Sequence, residues 1–340
     1  MPSPSLRDIA KVAGVSHVTV GRALRNHPKV SASQRKRIQE LATKMGYKKN
    51  PLISAWMKAR RSQGTVNSKE TIAFLSFDEI KTFKEADNFY RLWHAGAQSM
   101  AQELGYGFNT ISAKDYKFSW QSIARVLTSR GIRGILLAPM LGKTFSMDLN
   151  DFIAVSVEKM DHSPHIDHVL PNHFEGMQLA LDEGIRRGYR RIGYIHPGRL
   201  YPTHLRWKGA YLSYREFLSA NEQVEIIEAP ASSAETPERF QKWFNSEKPD
   251  LVICPNPIFF THLKSMGLCI PEDCGVIHLE WKPSWENLTG IDQNFRMSGE
   301  IALKMLANRL ERNEVGYSKR PISVLVEPKW IEGQTLRSLR

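Results

Sequence analysis

Between Leu6 and Gly46 the apolar positions recur at helical spacing in three short bursts, separated by polar turn residues. Leu6, Ile9, Ala10, Val12 and Ala13 form the first apolar face, and Gly14 ends it where a positive φ is needed. Ser16 is placed to cap a second helix with Val15, Thr19, Val20, Ala23 and Leu24 inward. Asn26, His27 and Pro28 then make a loop. Ser31 with Gln34 is a capping box for a third helix, with Ile38, Leu41, Ala42 and Met45 inside and Gly46 at its end. Isolated helices below roughly 12–15 residues are marginal in water, so the three are expected to share one small core.

From Thr71 onward the period changes. The strand-like runs Thr71–Phe77, Gly134–Pro139, Arg191–His196, Leu251–Pro255 and Gly275–Leu279 alternate with helical stretches. Those stretches are Phe89–Leu104, Ser119–Arg130, Glu175–Arg187, Lys208–Ala220, Pro237–Asn245 and Met297–Arg312. Such alternation predicts parallel α/β sheets, and about 230 residues of it favour two sheets over one. The polar stretch Arg60–Lys69 reads as the linker between the two parts.

Composition adds a folded chain of 340 residues, 41% apolar and 24% charged. No apolar run reaches the roughly 18 residues of a membrane span, and the start of the chain lacks the pattern of a secretory signal. Three cysteines, Cys254, Cys269 and Cys274, form no CxxC pair, which fits a reducing cytoplasm rather than a disulfide framework. Charge changes the picture most. Residues 1–63 carry 14 basic and two acidic side chains, whereas the other 277 residues balance to zero, so the whole net charge of +12 sits in the first 63 residues. That segregation predicts a polyanion-binding module on a neutral body.

The pattern Leu6–Asp8–Ile9–Ala10, Ala13–Gly14–Val15–Ser16, Thr19–Val20 and Arg22 is that of a helix-turn-helix. The stretch from Leu6 to Tyr47 resembles the DNA-binding headpiece of the LacI/GalR family of transcriptional regulators at nearly every position. The resemblance implies an all-α headpiece over about residues 1–49 and a hinge helix and linker over 50–69. An effector-binding and dimerisation domain would follow over 70–340, built from two parallel-sheet subdomains of the periplasmic-binding-protein type I class. Its N-subdomain would take about 70–165 and 295–323, its C-subdomain about 166–294 and 324–340.

By position, His17, Val18 and Arg22 stand where the family reads base edges, and Ser16, Thr19, Asn26 and Ser31 where it anchors phosphates. Arg22 suits a bidentate contact to guanine, and Val18 an apolar contact to a thymine methyl. In the hinge segment Asn50–Met57, Trp56 takes the place of the family's minor-groove leucine; a wedge and a dimer contact are both open to it. In the body, Arg206 sits at the arginine that grips the effector in many members, and Glu280 where many carry an aspartate facing it. The loop Pro197–Leu205 is shorter than usual and the helix after Cys254 shortens to Ile258–Met266, so the effector's identity does not transfer. Tyr90, Trp93, Trp207 and Trp281 are candidate faces for its ring, which favours a carbohydrate over a purine.

Other chemistries are weaker. His162, His165, His168 and His173 with Asp161 and Asp167 match no metal-ligand spacing, so no metal and no cofactor are expected. There is no GxGxxG after a strand, no P-loop and no GxSxG elbow. The sequence therefore predicts a cytoplasmic, homodimeric regulator, with repression as the expectation and no catalysis. Its partners would be pseudo-palindromic double-stranded operator DNA and a small-molecule effector, without a membrane. A purine- or nucleoside-responsive member and an α/β enzyme fused to a DNA-binding domain are the alternatives.

Overall fold

The structure, a computed structural model, describes residues 6–24, 26–47, 70–77, 89–139, 144–159, 165–195, 202–218, 224–229 and 236–339. The hinge segment Asn50–Met57, with Trp56, lies outside the described residues, as do Asp161 and His162.

Three helices open the chain: α1 Leu6–Ala13, α2 His17–Ala23 and α3 Ala32–Lys44. Gly14 takes φ +69 in the turn between the first two, a conformation L side chains rarely adopt. Ile9, Ala10, Ala13, Val20, Ala23, Val30, Ile38 and Ala42 bury one core. Val12 does not join it and is 62% exposed. At about 100° per residue it lies well off the centre of the Leu6–Ile9–Ala10–Ala13 face, which corrects its assignment to the core.

The rest of the chain alternates strands and helices. Strands β1 Thr71–Ser76, β2 Gly107–Ser112, β3 Gly134–Leu137, β4 Ile153–Val157, β5 Asp167–Pro171 and β11 Ser323–Val326 make one sheet, in the order β11-β5-β4-β3-β1-β2. Strands β6 Arg191–Ile195, β7 Glu225–Ala229, β8 Leu251–Cys254, β9 Gly275–His278, β10 Gly290–Asp292 and β12 Lys329–Ile331 make the other, ordered β12-β10-β9-β8-β6-β7. The β1–β2, β1–β3, β3–β4, β6–β7, β6–β8 and β8–β9 pairs are parallel, and β12 joins antiparallel to β10. The fold is thus a helical headpiece followed by the two parallel-dominated sheets expected of the type I periplasmic-binding-protein class.

The helices are α4 Phe89–Leu104, α5 Trp120–Ser129, α6 His173–Arg186, α7 Pro202–Leu218, α8 Pro237–Glu247, α9 Ile258–Ser265 and α10 Phe295–Arg312. Helix α7 begins inside the stretch Pro197–Leu205, which the sequence read as loop. In the second sheet successive residues face opposite sides. Leu251 and Ile253 pack with Met177, Leu181, Trp207 and Tyr211 of α6 and α7, while Val252 and Cys254 pack with Phe240, Phe244, Phe259 and Leu263 of α8 and α9.

Two compact units result. One comprises Met1–Val157, Ser163–His168 and Gly299–Ile322; the other Glu158–His162, Val169–Ser298 and Ser323–Arg340. Among the described residues no helix is long and apolar enough to cross a membrane.

Candidate nucleic-acid interface and ligand site

In the headpiece the Ser16 hydroxyl accepts from the Thr19 backbone N–H at 3.0 Å and meets the Thr19 hydroxyl at 2.9 Å, capping α2. With Val20 and Ala23 buried, the helical period turns Val18 and Arg22, one turn apart, to the opposite face. His17 is exposed at the first turn, Val18 is 46% exposed and Arg22 is half-buried. Ser31 caps α3, accepting from the Gln34 N–H at 3.3 Å.

Asn26 is held with φ +53; its Oδ1 accepts from Gln39 Nε2 at 2.7 Å and its carbonyl from Arg35 Nη1 at 2.8 Å. The oxygen of the expected phosphate anchor is thus tied within the headpiece. Arg37, unremarked in the sequence, donates from Nη2 to the Ala13 carbonyl at 2.6 Å and closes the end of α1.

The candidate ligand residues of the second unit lie just beyond the carboxyl ends of strands. Arg206 is on the helix that follows β6, and Glu280 comes two residues after β9 ends at His278. The strand order reverses between β6 and β8. The crevice at such a switch point is where open α/β sheets bind ligands.

Arg206 pairs with Glu158, its Nη1 2.7 Å from Oε1. The sequence expected Glu280 to face this arginine; Glu158 does so. Glu158 is 4% exposed with φ +82, and its carboxylate also accepts from the Lys159 N–H at 2.9 Å and meets His173 Nε2 at 3.2 Å. Burial by itself would raise this carboxyl, but the His173 hydrogen bond and charge, with the Arg206 guanidinium, hold it down at about 2. Burial pushes Glu280 the other way, up to about 8; the Lys282 charge opposes the rise and the Glu158 charge adds to it. Beside it, buried Gln293 donates from Nε2 to the Leu279 carbonyl at 2.6 Å, while its Oε1 has no hydrogen-bond partner among the described residues.

The aromatic candidates divide. Trp207 is fully buried in the core of the second unit, edge-to-face on His173 at 5.0 Å, so it offers no face to a ligand and that expectation is corrected. Trp93 is likewise buried, 5% exposed, with Tyr90 edge-on at 5.9 Å on the same helix of the first unit. Tyr90 and Trp281 stay half-exposed; Tyr90 donates to the Pro139 carbonyl and Trp281 Nε1 to the Trp285 carbonyl at 3.0 Å.

Sequence reasoning missed Glu158 and set His173 among metal candidates. The available signal was a single acid directly after the apolar run Ile153–Val157, a run not read as a strand. Asp167, of the same histidine-rich stretch, pairs with Arg309 at 3.4 Å. Among the described residues no three His, Cys, Asp or Glu side chains are grouped to hold a metal ion.

Comparison with known proteins gives a consistent result. Residues 5–50 match the family described as bacterial regulatory proteins, lacI family, and residues 181–336 a periplasmic binding protein-like domain. The HTH-type transcriptional repressor PurR of Aliivibrio salmonicida (strain LFI1238) is 24% identical over 329 residues, covering 90% of this chain and 92% of the relative. PurR of Pasteurella multocida (strain Pm70) is 25% identical over 334 residues, covering 91% and 93%. Among solved structures, the transcriptional regulator CelR in complex with cellobiose aligns with TM-score 0.57 at 18% identity, over 98% of this chain and 99% of that one. The lac repressor dimer bound to operator and the anti-inducer ONPF aligns with TM-score 0.55 at 17% identity, over 99% and 100%.

Proposed function

Because the chain belongs to the LacI/GalR family, a lacI-family regulatory domain joined to a periplasmic binding protein-like domain, we propose that it is a sequence-specific, effector-controlled transcriptional repressor. One observation carries this reading. The Val18–Arg22 face of a capped helix stays open to solvent on the one segment that holds the chain's entire net charge. A basic helix surface of this kind binds phosphates without regard to sequence and reads bases through the few side chains that reach the groove.

In this reading residues 1–49 are the headpiece, 50–69 the hinge with Trp56 at the operator centre, and 70–340 the effector-binding and dimerisation part. His17, Val18 and Arg22 read bases; Ser16, Thr19, Asn26 and Ser31 set the register on phosphates. One headpiece covers a half-site, so a homodimer on a pseudo-palindromic operator follows. The protein works in the cytoplasm and performs no catalysis; the relatives it matches are repressors.

Arg206 and Glu280 hold the effector's polar groups, with Trp281 as the aromatic face. A carbohydrate is the first reading, supported by the CelR–cellobiose complex among the structural neighbours. A purine is the second, favoured by the PurR relatives.

The test is operator selection followed by a ligand screen on the full chain. Selection from random duplexes should return an inverted repeat. A sugar or purine that stabilises the protein should change its operator affinity, and Arg206→Ala should abolish that response with operator affinity in the absence of effector nearly intact. Recovery of no preferred sequence would overturn the regulator reading, and a response retained by Arg206→Ala would move the ligand elsewhere.

A further inference from the structure

We propose that the Arg206 site admits an uncharged, polyhydroxylated ring and rejects sugar acids, because Glu158 is a built-in carboxylate that already engages Nη1 of the guanidinium. This rests on the reading of a ligand site at Arg206 and adds to it the chemical class the site selects. An arginine that captures an anionic ligand must present its donor fork to the incoming carboxylate. Here Nη1 is committed at 2.7 Å to Glu158 Oε1.

That carboxylate is not an adjustable surface partner. It is 4% exposed, and its two oxygens are also engaged by His173 Nε2 at 3.2 Å and the Lys159 N–H at 2.9 Å. Its backbone is held at φ +82, which a side-chain-bearing residue keeps only where the surroundings over-determine it. His173 is fixed in turn, 1% exposed and edge-on to the buried ring of Trp207 at 5.0 Å. A second anion brought to Arg206 would meet this fixed, buried charge at close range, where like charges repel.

The neighbouring groups suit hydroxyls. Gln293 keeps a fully buried Oε1 with no partner among the described residues, beside Leu279, the neighbour of Glu280. A hydroxyl can donate to that acceptor, whereas an ionised carboxylate has only acceptors of its own. Glu280, held largely protonated near neutral pH, can both donate and accept. The Lys282 ammonium, 9% exposed, lies over the Trp285 ring at 4.9 Å and is so drawn into a cation–π contact.

The experiment titrates the full chain, by calorimetry and thermal shift, with matched pairs that differ only in a carboxylate: glucose and glucuronate, and galactose and galacturonate. At least one neutral member should bind the wild type about tenfold or more tightly than its acid, a gap set by like-charge repulsion. Glu158→Gln should narrow or reverse that gap by releasing the guanidinium, and the added Arg206→Ala change should remove the acid binding so gained. Should Glu158→Gln fail to fold, the wild-type gap and the milder His173→Asn, which removes one anchor of the carboxylate, still decide.

Acids binding the wild type as tightly as their neutral partners would overturn the selectivity and leave the regulator reading standing. So would a folded Glu158→Gln with unchanged preference. Neutral sugars that bind with the predicted gap yet leave operator affinity unmoved would sink the effector reading and keep the selectivity. A silent panel, with neither member of any pair moving wild type or variant, would overturn the proposal by removing carbohydrates from the site, while operator binding is judged separately.

Discussion

The headpiece and the Arg206 cluster are both charged sites, and they are built in opposite ways. On α2 the side chains assigned to base reading are left in solvent: His17 and Val18 are exposed and Arg22 half-buried, while capping is delegated to Ser16. Around Arg206 the partner groups are buried and matched to one another, with Glu158 gripped by the half-buried Arg206 and by His173. Under the proposed function the difference follows from the size of the partner. A DNA duplex brings its own charge and can desolvate an exposed helix face on docking, so the surface can wait unpaired. A small molecule cannot compensate a buried charge by itself, so the protein must hold its own charges in balance before the ligand arrives.

The sharpest break of this comparison is Trp207→Ala. Removing a fully buried tryptophan that backs His173 should destabilise the α/β part by about 3–5 kcal/mol. Operator binding at low temperature should persist, because the headpiece has its own core. Denaturation followed by tryptophan fluorescence beside operator titration checks both; a headpiece that fails in step with the body would dissolve the distinction.

Next in size is Arg22→Ala, expected to cost about 1–3 kcal/mol of specific binding and to relax one base position while leaving thermal stability nearly unchanged. A binding-site selection with an unaltered preference would show that the recognition face is assigned wrongly.

A pH dependence separates the two carboxylates. Glu280 is raised from its ordinary 4.5 to about 8 in the folded chain. Its contribution is fully present below about 4.5 and is lost as pH rises through 8. Glu158, lowered to about 2, contributes above 4.5 and loses its share only as pH falls toward 2. Glu280→Gln should therefore gain at least about 1 kcal/mol on the wild type at pH 8, with the gap closing toward pH 5. Urea titrations across that range give the measurement; a constant gap would place Glu280 in water.

Legibility followed the range of the signal. The headpiece was readable almost to the residue because its information is local: Ser16 and Ser31 as caps, Gly14 at positive φ, and a period of 3.6 whose one misfit, Val12, sits at the edge of the face. Helix α4 was fixed in both bounds by its amphipathic period. Strands β2 and β7 escaped, since GFNTIS and EIIEA carry weak apolar patterns and gain their place only by pairing with β1 and β6.

The proposed ligand site shows the same division. By itself the sequence determined that Arg206 stands where a family places its effector arginine, and that the positive charge belongs to the first 63 residues. Only the tertiary structure decided which carboxylate meets that arginine and which tryptophan is core. Glu158 and Arg206 are 48 residues apart, and Glu158 and His173 are 15 apart across a strand. No local period or cap records such a meeting. It exists because one strand end and the first turns of two helices are brought to one place, where a buried carboxylate must find donors or remain uncompensated.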